Sequence, residues 1–153
     1  MNETLINKSA KLHSIAPQFV VPDVVKTAEY YRDVLGFKIH GYWLDPPVYS
    51  IVSRDGVEIH FGKGDTNVAQ GNTKRRKDGL DAYIFVHGID ELFEELRQRH
   101  ADLLTKNGPV DSEYKQREIV IRDCNGFVIG FGDNSSFVDR DIINSKKLTI
   151  SKK

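Results

Sequence analysis

The chain has 153 residues, 39% hydrophobic and 29% charged, which suits one compact globular unit or two small halves sharing a sheet. Lys+Arg 22 balances Asp+Glu 22, so no global field points to nucleic acid or an anionic membrane surface. One cysteine, Cys124, cannot form an internal disulfide and has no zinc-type cluster around it, so it reads as an ordinary turn thiol in a reducing compartment.

No apolar run approaches the roughly 20 residues a membrane helix needs. Met1 to Ser14 lacks the apolar core of a signal peptide, and the expectation is a soluble cytoplasmic protein. Ile15 to Val21 reads as a first strand. Asp23 is placed as the N-cap of a helix over Val24 to Leu35, with Val24, Ala28, Tyr31 and Leu35 as its buried stripe and Gly36 as its left-handed stop. Strands follow at Phe37 to Trp43, Val48 to Ser53 and Val57 to Gly62, the last two joined by a hairpin turn at Arg54-Asp55-Gly56.

Residues 64–79 form a polar linker without periodicity, and its basic run Lys74-Arg75-Arg76-Lys77 reads as a solvated loop. The order then repeats. Leu80 to His87 is a strand, Ile89 to His100 a helix with the stripe Ile89, Leu92 or Phe93, Leu96 and His100, and Asp102 to Thr105 a short strand. Glu118 to Arg122 and Phe127 to Phe131 close the unit as a hairpin. From Gly56 and Gly126 onward the two closing strands read in register, which makes His60 and Gly130 equivalent. The opening strands align Ala16-Pro17-Gln18 with Asp81-Ala82-Tyr83. The chain is therefore an α+β tandem duplication of βαβββ modules, module one over 14–63 and module two over 80–134. The expected product is one curved, mixed and mostly antiparallel sheet with a concave cleft and its helices on the convex side. Residues 1–13 and 135–153 are tails, and 139–150 has the apolar content for a short helix.

Strand alternation assigns faces. Phe19, Val21, Val57, Ile59, Phe61, Ala82, Ile84, Val86, Phe127, Ile129 and Phe131 pack on helices. Ala16, Gln18, Val20, Glu58, His60, Gly62, Asp81, Tyr83, Phe85, Val128, Gly130 and Gly132 look into the concavity. Each inward residue has a structural alternative. His60 reads equally as a strand histidine without a task, Asp81 as a cap on its strand, and Tyr49, Tyr83 and Phe85 as ordinary core or interface.

Four stretches carry a resemblance: VPDVVKTAEYYRDVLGFKI, VYSIVSRDGVEIHFGKG, LDAYIFVHGIDELFEEL and REIVIRDCNGFVIGFGDN. Together they resemble the vicinal oxygen chelate superfamily, which comprises glyoxalases, bleomycin-resistance proteins and dioxygenases. Within it they look most like the bleomycin-resistance branch, over roughly Ile15 to Asn134. The resemblance implies paired βαβββ modules and, in the metalloenzymes, divalent-metal ligands at four positions that fall here on Ala16, His60, Asp81 and Gly130. Ala16 and Gly130 have no donor atom. His60 and Asp81 alone fall short of the three protein ligands usual in a catalytic site, so neither a metal nor another cofactor is expected.

What the resemblance then implies is a metal-free homodimer that sequesters a planar aromatic or heteroaromatic molecule in aromatic-lined clefts, as in antibiotic resistance, without nucleic acid or membrane partners. The family's stacking positions fall on Tyr49, Tyr83 and Phe85. A family tryptophan falls on Lys115, which removes a stacking surface, and Gln18, His60, Asp81 and Arg117 complete the expected ligand-binding set. The alternative is a divergent lyase or oxidoreductase of the superfamily with His60 as general base, with or without a weakly held divalent ion.

Overall fold

The computed structural model describes residues 9–65, 71–135 and 137. The suggested helix over 139–150 lies outside the described residues, as does the middle of the linker.

Module one runs β1 (Gln18–Val21), α1 (Val24–Asp33), β2 (Lys38–Trp43), β3 (Tyr49–Arg54) and β4 (Val57–Lys63). Asp23 accepts from the amides of Val25 and Lys26 at 3.0 and 2.9 Å, which satisfies two of the donors that a helix start leaves orphaned. Val24, Ala28, Tyr31 and Leu35 are all buried, and Gly36 takes φ +74° to end the helix. The β3–β4 turn has positive φ at both Asp55 and Gly56, the geometry whose twist matches that of the flanking strands.

Module two follows with β5 (Ala82–Phe85), α2 (Ile89–Gln98), β6 (Asp102–Leu103), β7 (Val110–Asp111), β8 (Arg117–Arg122) and β9 (Val128–Asp133). Ile89, Leu92 and Leu96 form the buried stripe of α2. His100 is exposed instead, holding φ +60° just past the helix end. The module's second strand is split: β6 and β7 both pair with β8, with a turn containing Gly108 (φ +111°) between them.

The duplication holds residue by residue. β1 lies parallel to β4 with Gln18 beside His60, and β5 lies parallel to β9 with Tyr83 beside Gly130. The mixed sheet comes in two hydrogen-bonded parts, ordered β1-β4-β3-β2 and β5-β9-β8-β6, rather than as one continuous ladder. The modules join through their helix-facing sides. Phe19 stacks on Phe127 with ring centroids 4.5 Å apart, and one apolar cluster contains residues of both halves.

Polar ties cross the same seam. The Tyr31 hydroxyl donates to Asp123, Asn125 donates to the Thr27 hydroxyl, and Arg54 donates to Glu95. Each sheet therefore keeps one open face turned away from the shared core. The run 74–77 is exposed, as a solvated loop would be. No described helix is long and apolar enough to cross a membrane.

Candidate functional site

On the open face of module one, alternation turns Ser50, Val52, Ile59 and Phe61 into the core. It leaves Tyr49, Glu58 and His60 on the other side, with Gln18 and Val20 on the neighbouring edge strand. Trp43 of β2 packs edge-on against Tyr49 (6.1 Å, 77°), and Tyr49 packs edge-on against His60 (5.6 Å, 86°). The row is continuous across three strands, and Trp43 keeps 45% of its surface exposed.

Both ring nitrogens of His60 are engaged, Nδ1 with the Tyr49 hydroxyl at 2.7 Å and Nε2 with Glu58 Oε1 at 2.5 Å. A carboxylate only accepts, so Nε2 carries a proton and donates to Glu58, while Nδ1 shares a hydrogen bond with the Tyr49 hydroxyl. Held this way, His60 is an orienting group between a phenol and a carboxylate. Acting as a base toward a ligand would require it to release one of these partners.

The open face of module two is closed in a different way. Every residue of β9 is buried, including Val128, Gly130 and Gly132, which alternation alone assigns to the cleft. A methyl group added at Gly130 would meet Leu80 Cδ1 at 2.9 Å and Tyr83 Cδ2 at 3.0 Å, and one added at Gly132 would coincide with the Tyr83 hydroxyl. The two glycines are thus the bed on which the Tyr83 ring lies. Its hydroxyl donates to Glu118 Oε1 at 2.7 Å, and Tyr114 donates to the same carboxylate at 2.6 and 2.7 Å. Burial and the nearby Glu118 charge push the Tyr83 phenol well above its ordinary range, so it remains a proton donor. Phe85 stands edge-on to Tyr83 (5.2 Å, 65°) and is 75% exposed.

Two of the expected ligand-binding residues have other work. Asp81 accepts from Asn72 N at 2.7 Å and from Val128 N at 2.8 Å, so both its oxygens tie the linker to β9. Arg117 lies on the same side of β8 as buried Ile119 and Ile121, away from the open face. It donates twice to Asp90 in the first turn of α2 and once to Asp111. Lys115 sits exposed in the turn before β8 with φ +60°. The aromatic surface lost there is supplied by its neighbour Tyr114, which is 67% exposed. Alternation in β8 is the signal that would have found Glu118, since Ile119 and Ile121 pack inward with Arg117 and leave Glu118 on the other face. No periodic signal marked Tyr114, which lies in a turn.

With this geometry in view, the glyoxalase/bleomycin resistance protein/dioxygenase superfamily model matches residues 11–131. The chain belongs to that superfamily. Solved structures of the superfamily type share the fold at low identity. A glyoxalase-related enzyme from Clostridium phytofermentans superposes with TM-score 0.64 at 16% identity, covering 82% of this chain and 98% of that one. A bleomycin-binding protein from Streptomyces verticillus, complexed with copper(II)-bleomycin, gives 0.59 at 21%, covering 80% and 96%. TnmS3, an antibiotic binding protein from Streptomyces sp. CB03234, gives 0.59 at 19%, covering 82% and 98%. No curated protein matches the chain in sequence.

The four positions that superfamily metalloenzymes use as ligands do not fit a metal here. Ala16 and Gly130 offer no donor, the Tyr83 ring covers Gly130, and Asp81 has both oxygens on backbone amides. Among the described residues no group of three or more His, Cys, Asp and Glu side chains is arranged to hold a metal ion.

Proposed function

We propose that this superfamily member is a small-molecule-binding protein that holds a planar aromatic or heteroaromatic ligand against its open sheet faces and sequesters it without a metal. The observation that carries the reading is the aromatic row Trp43–Tyr49–His60, exposed at its Trp43 end and backed by polar groups at Glu58 and Gln18. Flat rings gain both area burial and quadrupole complementarity from such edge-and-face surfaces, and the few polar groups orient them. Tyr83, Phe85 and Tyr114 give module two a second aromatic surface of the same kind around Glu118. The bleomycin-binding and TnmS3 structures, which share the fold, bind antibiotics, and that lends the reading support.

A homodimer is part of the proposal. Val20, Trp43, Phe85, Tyr114 and Val110 are exposed at 45–75%, and a second copy covering the open faces would turn each shallow row into a two-walled cleft. Sedimentation equilibrium tests this, with a monomer at micromolar concentration as the contrary result. Binding is tested by titrating Trp43 fluorescence with fused-ring heteroaromatics. Substituting Tyr49 or Phe85 with Ala should weaken a hit by about 1–3 kcal/mol, and unchanged affinity in both would remove the stacking argument.

The second reading, an enzyme using His60 as base, draws on the Tyr49–His60–Glu58 chain. It predicts turnover abolished by His60→Gln with ligand affinity retained, whereas a sequestering protein gives no turnover in either form.

A further inference from the structure

Away from both open faces, a groove of about 580 Å³ runs between the modules on their helix side. Leu35, Phe37, Leu92, Leu96 and Phe131 from both halves line it as buried apolar surface. The ionisable residues around it are Asp55 and Arg54 of the β3–β4 turn, Glu91 and Glu95 of α2, and His87, which is 88% exposed with its Nδ1 4.0 Å from Asp133. The volume lies within the range of small-molecule sites.

The charges at this groove are already sorted by sign. Arg54 is committed to Glu95, at 3.1 and 2.7 Å, and to the Leu35 carbonyl at 2.8 Å. The amides of Gly88 and Ile89 at the start of α2 donate to Asp133, which takes up part of the donor capacity of the helix start. Glu91, by contrast, makes no side-chain hydrogen bond or ion pair with another described residue. Its carboxylate lies over Gly88 at the groove, 3.2 Å from where a side chain there would begin. Asp55, also at the groove, lies 3.6 Å from Arg54 Nε with its side chain 89% exposed. Exposed Phe85 also lines the groove, presenting a ring to a cation.

We propose that this groove, which shares only Phe85 with the aromatic surface of module two, is a second binding site, for an amphipathic monocation. The apolar body rests against the partly exposed Val57, Ile84 and Val86, above the buried Leu35, Leu96 and Phe131. The ammonium stays at the hydrated rim beside Glu91, where it keeps much of its solvation and gains an unpaired carboxylate.

The test titrates the full-length protein with 1-naphthylmethylammonium, its neutral analogue 1-naphthylmethanol and its anionic analogue 1-naphthylacetate, following backbone amides by NMR. The expected result is saturable binding of the ammonium several-fold tighter than the alcohol, with the acetate weakest. The largest shifts should fall at Gly88, Glu91 and Leu92. Glu91→Gln should erase the gap between ammonium and alcohol, and Asp55→Asn should narrow it. Equal affinities for the three probes, a gap that survives both substitutions, shifts centred on Glu58, His60 or Glu118, or no saturable binding would each overturn the proposal.

Discussion

The Tyr31 hydroxyl on α1 donates to Asp123 Oδ2 in the closing hairpin of module two, at 2.8 Å and out of contact with water. Asp123 also holds its own turn, since Oδ1 accepts from the amides of Asn125 and Phe127. Burial raises the Asp123 carboxyl above its usual range despite these donors. Tyr31→Phe would leave Oδ2 without a partner in the core, and the expected cost is about 1–3 kcal/mol by urea denaturation. The sign of the pH dependence follows from the raised value. Ionised Asp123 is harder to maintain folded than unfolded, so its contribution becomes more favourable as pH falls through its folded value toward the unfolded one near about 3.9. The difference between wild type and Tyr31→Phe should therefore depend on pH in that window, which denaturation at pH 4, 5 and 7 checks.

The matching hairpin of module one uses the opposite member of its Arg-Asp pair. Arg54 donates to Glu95 of α2, holding the Glu95 carboxyl below its ordinary range. A lowered carboxyl contributes stability at pH above its unfolded value and loses it as pH falls through the folded one. Glu95→Gln should cost about 1 kcal/mol at pH 7. The cost should shrink toward zero in acid, and a difference constant with pH would remove the ion-pair account.

Gly132→Ala places a methyl group on the Tyr83 hydroxyl. Overpacking of this kind typically costs about 1–3 kcal/mol. In a Tyr83→Ala background the same substitution should be nearly neutral, because the ring that it displaces is gone. A double-mutant cycle showing additive effects would contradict the picture of Tyr83 lying on the two glycines.

Arg117→Ala should lower stability by about 1 kcal/mol through loss of the bidentate tie to Asp90, while leaving open-face ligand affinity unchanged. Calorimetry on the variant, together with a ligand titration, separates the two roles.

Desolvation, with the nearby Asp123 charge, pushes the Cys124 thiol up to about 11. Alkylation by iodoacetamide at pH 8 should run one to two orders of magnitude slower than with a free cysteine, roughly in proportion to the thiolate fraction. A rate equal to that of free cysteine would show Cys124 to be ordinary.

Much of this architecture was legible in the residues. The repeated Arg-Asp hairpin made His60 and Gly130 equivalent and aligned Gln18 with Tyr83, and the strand registers, with Gln18 beside His60 and Tyr83 beside Gly130, agree with that equivalence. Helix spacing found the buried Val24, Ala28, Tyr31 and Leu35, though α1 ends at Asp33, before Leu35, and also buries Thr27, which the stripe left out.

What alternation could not convey was the depth of a neighbour's side chain. It assigned Gly130 and Gly132 to an open cleft, where a tyrosine from the next strand fills the space. Arg117 was expected at the ligand although the parity of Ile119 and Ile121 sets it on the helix side. Asp81 was weighed both as cap and as ligand, and its contacts are with backbone amides brought by Asn72 of the linker and Val128 of β9, neither of which its own strand spacing reveals. Tyr114 and the split of the second strand into β6 and β7 belong to a non-periodic segment, where sequence spacing carries no geometric information.

The central claim, an aromatic binding surface that works without a metal, is tested most directly by isothermal titration of a fused-ring heteroaromatic hit. The titration is run on EDTA-treated protein and again with added Mn, Fe, Ni or Zn. The account predicts the same affinity in every case and a marked loss in Tyr49→Ala. Binding or turnover that requires a stoichiometric divalent ion would contradict it.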